Sequence, residues 1–426
     1  MTSSGIARTI ESIVGTDHVD RSSGLVIDGH TPATIVRPGS REEVAECLRV
    51  CTEANLSVVP AGLMSWLECG NPLRRADVVL CLERLNRIIE YSPADLTVEV
   101  EAGLTIKELY VATEAERQWL PLDPPGAARA SLGAIASCAS SGPLRAGFGT
   151  PRDYVIGLRL AHADGSESKS GGRVVKNVAG YDMNKLYIGS FGTLAVITEL
   201  TFKLRPLPDS SLTVMTRSGE LGALAGAARH ILLSDLLPVS LMIYRRRDNS
   251  RTDSESGLWT LAIRFIENEA AVTYQASRIG EILESNPQDL IANGSEEMAF
   301  WEETAEIHRA GSVSINISLP LSEILSFSVE VVSTLPECAA AIDVATGIIR
   351  VAFDANERQA VEIIKRLRAE VAAAGGSLVI EKAATIVRRE ADAWGDIGPA
   401  ASIMRAIKEK LDPGSILNPG RFVCDI

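Results

Sequence analysis

Short β-branched apolar runs alternate along the chain with longer stretches at helical spacing, and glycine and proline separate them. Thr34-Ile35-Val36 reads as a strand. Ser40 followed by Glu43 reads as a capping box that opens an amphipathic helix reaching Asn55, and Leu56-Ser57-Val58-Val59 follows as a second strand, completing a βαβ-like unit. Further strands are predicted at 78–81, 88–91 and 97–100, with a helix over 105–118. Pro121, Pro124 and Pro125 then enforce an extended passage, and a Gly/Ser-rich stretch occupies 131–142. A strand over 157–162 leads through Asp164-Gly165, a hairpin signal, into residues 171–199. There Gly171, Gly172, Gly180, Gly189 and Gly192 precede the apolar run Leu194–Thr198. That stretch reads equally as a glycine-turned hairpin or as a site built from backbone.

Past Leu204-Arg205-Pro206-Leu207-Pro208 the texture changes. Helices at 219–233, 268–284 and 355–374 alternate with strands at 259–263 and 348–352, which places a second α+β domain from about Asp209. The chain closes with a helix over 400–410 and the turn-rich segment 411–422.

Composition narrows the class. The 426 residues are 46% hydrophobic and 23% charged, ordinary for a globular protein with room for two or three domains. A net charge of -13 argues against nucleic acid as a partner. No apolar run approaches a membrane span and the start lacks a signal-peptide pattern, so the expectation is a cytoplasmic protein that reaches the inner membrane only through partners. Seven scattered cysteines without a CxxC indicate neither a disulfide framework nor a zinc or iron–sulfur cradle; buried free thiols are expected. The five histidines are too dispersed to rebuild a metal motif, so no metal is assigned.

Residues 60–67, 131–142 and 189–197 share one character: small residues at strand-to-turn junctions, where successive backbone N–H groups form concave anion sites. Neither GxGxxG after the first strand nor GxxxxGK[ST] is present, so a different nucleotide scaffold is required. VRPGSREEVAECLRVC at 36–51, the 60–72 loop, LPLDPPG at 120–126, SSGPLRAGFGTPRDYVIG at 140–157, the 171–199 segment and LDPGSILNPGRF at 411–422 supply it. In that order they resemble the PCMH-type FAD-binding family, also called the vanillyl-alcohol oxidase type, and within it the FAD-binding E-type subunits of glycolate oxidases.

The resemblance implies an α+β fold. Residues 1–208 would form the FAD-binding domain, with subdomains over about 30–91 and 92–208; 209–384 would form an α+β cap or substrate domain, and 385–426 would return to pack on the FAD domain. It implies noncovalent FAD, held by Pro60, Ala61, Gly62, Leu63, Met64 and Ser65, by Pro125 and Gly126, and by Ser131, Leu132 and Gly133. Ser137, Ser140, Ser141 and Gly142 would complete the cradle, with Gly192, Leu194, Val196 and Ile197 along the cofactor and Asn418 and Arg421 bringing the tail over it. Implied partners are a small 2-hydroxy acid, a catalytic flavin D-type subunit and an iron–sulfur F-type subunit.

Met64 and Trp66 depart from the family pattern, which carries glycine at those positions; a side chain there costs on the order of 1–3 kcal/mol if φ is positive. A non-catalytic subunit with a degenerate FAD site is therefore a competing expectation, and a stand-alone FAD oxidase is a third. Catalytic residues are not identified: Lys176, Asn177 and Tyr181 are weak candidates that structural pairing explains better. Arg145 and Arg152 read as solvated surface residues, and Glu302, Glu303 and Glu306 as the polar face of a helix.

Overall fold

The computed structural model describes residues 3–21, 24–172, 181–247, 257–283, 291–292, 294–335 and 337–426, which divide into two compact units. The first comprises 1–141, 150–207 and 396–426, and the second 142–149 and 208–395.

In the first unit, the strand Thr34–Val36 and the strand Val58–Ala61 flank Val78–Cys81, both parallel to it, and Val19–Asp20 adds an antiparallel edge. The helix Arg41–Glu53 makes the crossover between the outer strands, burying Val44, Leu48 and Val50. Its start departs from the expected capping box in one detail. Ser40 Oγ accepts from Glu43 N at 3.2 Å, but Glu43 Oε2 accepts at 2.6 Å from Gly39 N, one residue before the cap. A second sheet runs Ile88–Ser92, Thr97–Glu101, Val196–Lys203, Val155–Ala161, Glu167–Gly171, all antiparallel. Ile88–Ser92 is hairpin-paired to Thr97–Glu101 through the turn Pro93–Asp95, so it belongs to the second sheet, and the division within this unit falls before residue 88 instead of at 91.

The expected 105–118 helix is shorter, Ile106–Thr113, opened by a full Thr105/Glu108 capping box. A 3₁₀ turn follows and Arg117, with φ of 50°, ends it. Residues 131–142 hold a short helix, Leu132–Ser137, behind Ser131 as its cap.

The second unit is one eight-stranded antiparallel sheet: Ile291–Ala292, Ser210–Ser218, Trp259–Glu267, Ser240–Arg245, Ala339–Asp343, Ile348–Phe353, Val313–Ser318, Ser377–Lys382. Leu221–Leu232, Glu269–Ile282, Ile324–Thr334 and Glu357–Ala373 are the helices whose buried faces join one apolar core with this sheet, including Ile263, Phe265, Ile315, Ile349 and Val351. Each such large apolar side chain contributes about 1.5–3 kcal/mol. The unit continues to Gly395, beyond the boundary expected at 384, because Ile380 N donates to Ala393 O at 2.8 Å and Arg368 Nη2 to Asp392 O at 2.7 Å.

The C-terminal tail is stitched into the first unit. Val58 N donates to Ile416 O at 2.8 Å and Asn418 N to Val58 O at 2.9 Å. Lys408, in the helix Ala400–Leu411, is 3% exposed, and its ammonium donates to Asp412 Oδ2 (2.7 Å), Thr193 O (2.7 Å) and Leu417 O (2.9 Å). Asp412 in turn accepts from Ile416 N and Leu417 N at 3.1 and 2.8 Å. Burial pulls the Lys408 pKa below the ordinary lysine value, and Asp412 opposes that shift. Lys408→Ala strands a buried carboxylate, so it is expected to cost about 3–5 kcal/mol in urea unfolding; an unchanged midpoint would contradict the clasp.

Candidate functional site

A cleft in the first unit, open on one side, has about 770 Å³ of space between its walls, solvent mouth included. The turn after the strand Val58–Ala61 forms one wall, the Leu132–Ser137 helix the back, and residues 191–197 with the tail the other side. Of the residues expected at a cofactor, Pro60, Ala61, Gly62, Leu63, Met64, Ser65, Ser131, Gly133, Ser137, Gly192, Val196, Ile197, Asn418 and Arg421 line it. Pro125, Gly126, Leu132, Ser140, Ser141, Gly142 and Leu194 do not. Leu132 and Leu194 point into the core, at 0% and 7% exposure, and Gly142 belongs to the segment grouped with the second unit. Lys176 and Asn177 lie outside the described residues; Tyr181 is 93% exposed and away from the cleft.

Backbone donors decide what the cleft can hold. Among the described residues, the amides of Gly62, Leu63, Met64 and Ser65 have no hydrogen-bond partner. Successive free N–H groups in a turn make an anion nest. Of the stretch 131–133, expected to complete the cradle, the amides of Leu132 and Gly133 are engaged elsewhere. Leu132 N donates to Leu104 O and Gly133 N to Ala102 O, both at 2.8 Å, and Ala134 N to Ser131 Oγ at 3.3 Å, so these donors are already committed. Gly133 is required for packing instead, since a Cβ would stand 2.7 Å from that of Ala102. Gly62 likewise admits Ser131, whose Oγ would lie 2.0 Å from a Cβ.

Strained backbone gathers around the cleft. Met64, Phe191 and Asn418 have φ of 57°, 55° and 43°, in the left-handed region, beside Gly192 at 66°. The cost anticipated for a side chain at 64 is therefore real, yet the Met64 side chain packs with Leu67 against the Ile27, Val59 and Val79 cluster. Trp66 also lines the cleft, with no positive φ, so its position does not demand glycine.

The tail residues have separate tasks. Arg421, 3% exposed, pairs with Asp28 Oδ2 at 2.9 Å and donates to Asn71 O (3.0 Å) and Leu67 O (2.7 Å), which fixes the far end of the 60–70 loop and leaves its charge neutralised. Asn418 Nδ2 donates to Phe191 O at 2.7 Å, an acceptor that dictates the amide's orientation. Its buried Oδ1 has no partner and is an acceptor for a ligand's N–H or O–H. Phe191 stacks on Phe422 with ring centroids 5.5 Å apart.

Sequence reasoning missed Val59, Leu82 and Ala102, which the sheets bring to the cleft without any local signal, and Cys69; Leu67, Ala134, Cys138, Phe191 and Ala195 lie in the passages 60–67, 131–142 and 189–197 but were not named as cofactor contacts. Phe191 sits between Gly189 and Gly192, and that turn was its available signal. Cys81 donates its thiol to Gly62 O at 3.1 Å, and burial pushes its pKa up to about 11, so it is inert.

Free turn amides for a diphosphate and an orphan amide oxygen for a donor edge define a nucleotide-binding scaffold, and these residues fit FAD. Residues 32–170 match the FAD binding domain family and residues 239–422 the C-terminal domain of FAD linked oxidases. The glycolate oxidase subunit GlcE of Escherichia coli is 32% identical over 222 residues, 51% of this chain and 55% of that one. A probable mitochondrial D-lactate dehydrogenase of Danio rerio is 26% identical over 92% of this chain and 84% of its own. The solved structure of p-cresol methylhydroxylase superposes with a TM-score of 0.76 at 17% identity, covering 98% of this chain and 96% of that one, which establishes the shared fold. The chain spans about half the length of the glycolate oxidase relatives, 45% and 55%. Residues 32–170 and 239–422 are thus similar to the two domains of FAD linked oxidases, and FAD is the cofactor.

Gly62→Ala is expected to destabilise the chain by about 1–3 kcal/mol through its clash with Ser131 Oγ. Combined with Ser131→Ala it should cost less than the two single changes summed, by thermal unfolding; strict additivity would remove the claimed contact.

Proposed function

We propose that this chain is the FAD-binding subunit of a glycolate oxidase-like 2-hydroxy-acid dehydrogenase. It would take electrons from substrate or from the flavin of a D-type subunit and pass them to an iron–sulfur F-type subunit. The observation that carries the reading is the cleft itself, with its unpaired Gly62–Ser65 amides opposite Gly192 and Asn418. The partner proposal rests on similarity to glycolate oxidase subunits GlcD and GlcE.

Bound FAD supplies hydride acceptance at its isoalloxazine ring. This chain's residues would do the holding. The Gly62–Ser65 amides would donate to the diphosphate, a contact between anion and pre-aligned N–H groups that needs no lysine. Asn418 Oδ1 would accept from a cofactor donor while its Nδ2 stays on Phe191 O. The loop's far end, pinned by Arg421 to Leu67 O and Asn71 O, would keep those amides aimed before the ligand arrives. No helix of the described residues is long and apolar enough to cross a membrane.

A second reading draws on Met64 and Trp66, both of which present bulky side chains to the cleft. In it the scaffold serves assembly with a catalytic flavin subunit and its own FAD site is degenerate. The visible spectrum separates the two. The first reading expects a yellow protein, or one that takes up added FAD, whose flavin bleaches with glycolate or D-lactate alone or together with its partner. A colourless chain that fails to take up FAD favours the second.

A further inference from the structure

The hydrogen bonds that anchor the stretch 61–67 use its carbonyls and side chains and leave the amides of 62–65 alone. Leu82 N donates to Ala61 O at 2.8 Å, the Cys81 thiol to Gly62 O at 3.1 Å and Cys69 N to Trp66 O at 3.2 Å. Ser65 donates its own Oγ to Arg129 O at 3.3 Å, and Arg421 Nη2 reaches Leu67 O at 2.7 Å. Among the described residues, the amides of Gly62, Leu63, Met64 and Ser65 are left over.

Within that turn Met64 alone has a positive φ, 57°; even Gly62 does not. One left-handed residue in such a run is what makes successive N–H groups converge instead of alternating about the chain. The conformation is unfavourable for a residue with a Cβ and persists only where its surroundings over-determine it. Here the surroundings are apolar. The Met64 side chain packs on the buried cluster that includes Ile27, Val59, Leu73 and Val79, where Val59 and Val79 belong to adjacent strands of the parallel sheet. The side chain that strains the backbone is therefore also the one that fastens the turn to the sheet.

Glycine would adopt the same φ without strain, but it would have nothing to insert into the cluster. Two opposite outcomes follow. If the side chain at 64 obstructs the cofactor, as expected for a position that departs from glycine, its removal tightens FAD binding. If it holds the turn, its removal leaves four amides to be ordered when the ligand binds, and affinity falls. We infer that Met64 is a positioning residue for the diphosphate: keyed into the apolar cluster, it fixes the handedness of the turn and aims the Gly62–Ser65 amides before a ligand arrives. The contacts at Gly62 O, Ser65 Oγ and Leu67 O fix where the turn lies, and Met64 fixes which way its donors face. This role rests on the FAD reading of the cleft, and it makes the bulky residue part of the site's construction.

Isothermal titration of the flavin-free full chain with FAD and, separately, with ADP tests this, because ADP carries the diphosphate without the flavin. Met64→Gly is expected to weaken both ligands about tenfold. Met64→Leu, which keeps an apolar side chain of similar size, should stay within about twofold of the wild type. Leu25→Ala removes a side chain packed on the same cluster from outside the turn, so it should lower the melting temperature and leave both affinities within about twofold. Thermal unfolding of each variant reports that it folds; should M64G fail to, Met64→Ala takes its place with the same expected weakening. Binding to M64G as tight as to the wild type or tighter, a loss in M64L equal to that in M64G, or an equal loss in L25A would overturn the positioning role. A wild type that binds ADP but not FAD removes the flavin reading, and the role is then decided on ADP; one that binds neither removes both.

Discussion

The buried ammonium of Lys408 is the constraint on which the first unit depends. Its three donors reach Asp412, the carbonyl of Thr193 and the carbonyl of Leu417, so one side chain ties the last long helix, the turn holding Gly192 and the returning tail. An ammonium has three protons, and here all three are matched, which is the condition under which a buried charge is tolerated. Asp412 extends the clasp by accepting the amides of Ile416 and Leu417, and the tail so aligned delivers Asn418 and Arg421 to the cleft. The chain's end is therefore part of the cleft's wall.

Two kinds of polar incompleteness then mark the two units. In the first, among the described residues, the turn at Gly62–Ser65 leaves its amides without partners and Asn418 leaves an oxygen, around a cleft whose lining arginine, Arg421, is already neutralised by Asp28. That arrangement favours an elongated anion held by backbone over a compact one held by charge. In the second, the Oδ1 of Asp343 is buried without a partner. Native proteins pair nearly all buried polar groups, so exceptions that cluster are reasons to look for a ligand.

Much of this architecture was legible in residue order. The helices expected after Ser40 and over 105–118, 268–284 and 355–374 start at Arg41, Ile106, Glu269 and Glu357, behind caps Ser40, Thr105, Asn268 and Asn356 of which only Ser40 was read as one. The 60–65 turn and the strand expected at 194–198, which runs over Val196–Lys203, were recognisable from the residue pattern. What stayed hidden was pairing between distant segments. Nothing near Ser131 discloses that Leu104 and Ala102 would take the amides of Leu132 and Gly133, and that pairing removes this stretch from the phosphate donors. Arg145 read as a surface charge and is half-buried, because the seat of its segment on Val239 and Ser240 is set by residues nearly a hundred positions away. Ile88–Ser92 was assigned to the wrong half because a strand's partner, here Thr97–Glu101, is not written in its own sequence.

The central claim is that free backbone amides at Gly62–Ser65 receive the cofactor's diphosphate. Amide hydrogen exchange with and without FAD, resolved by peptide, addresses that directly. The account predicts strong added protection over 60–67, weaker protection over 190–197, and none over 132–134, whose amides are already bonded. Protection centred on 132–134, or none over 60–67 in a protein that has bound FAD, would contradict it.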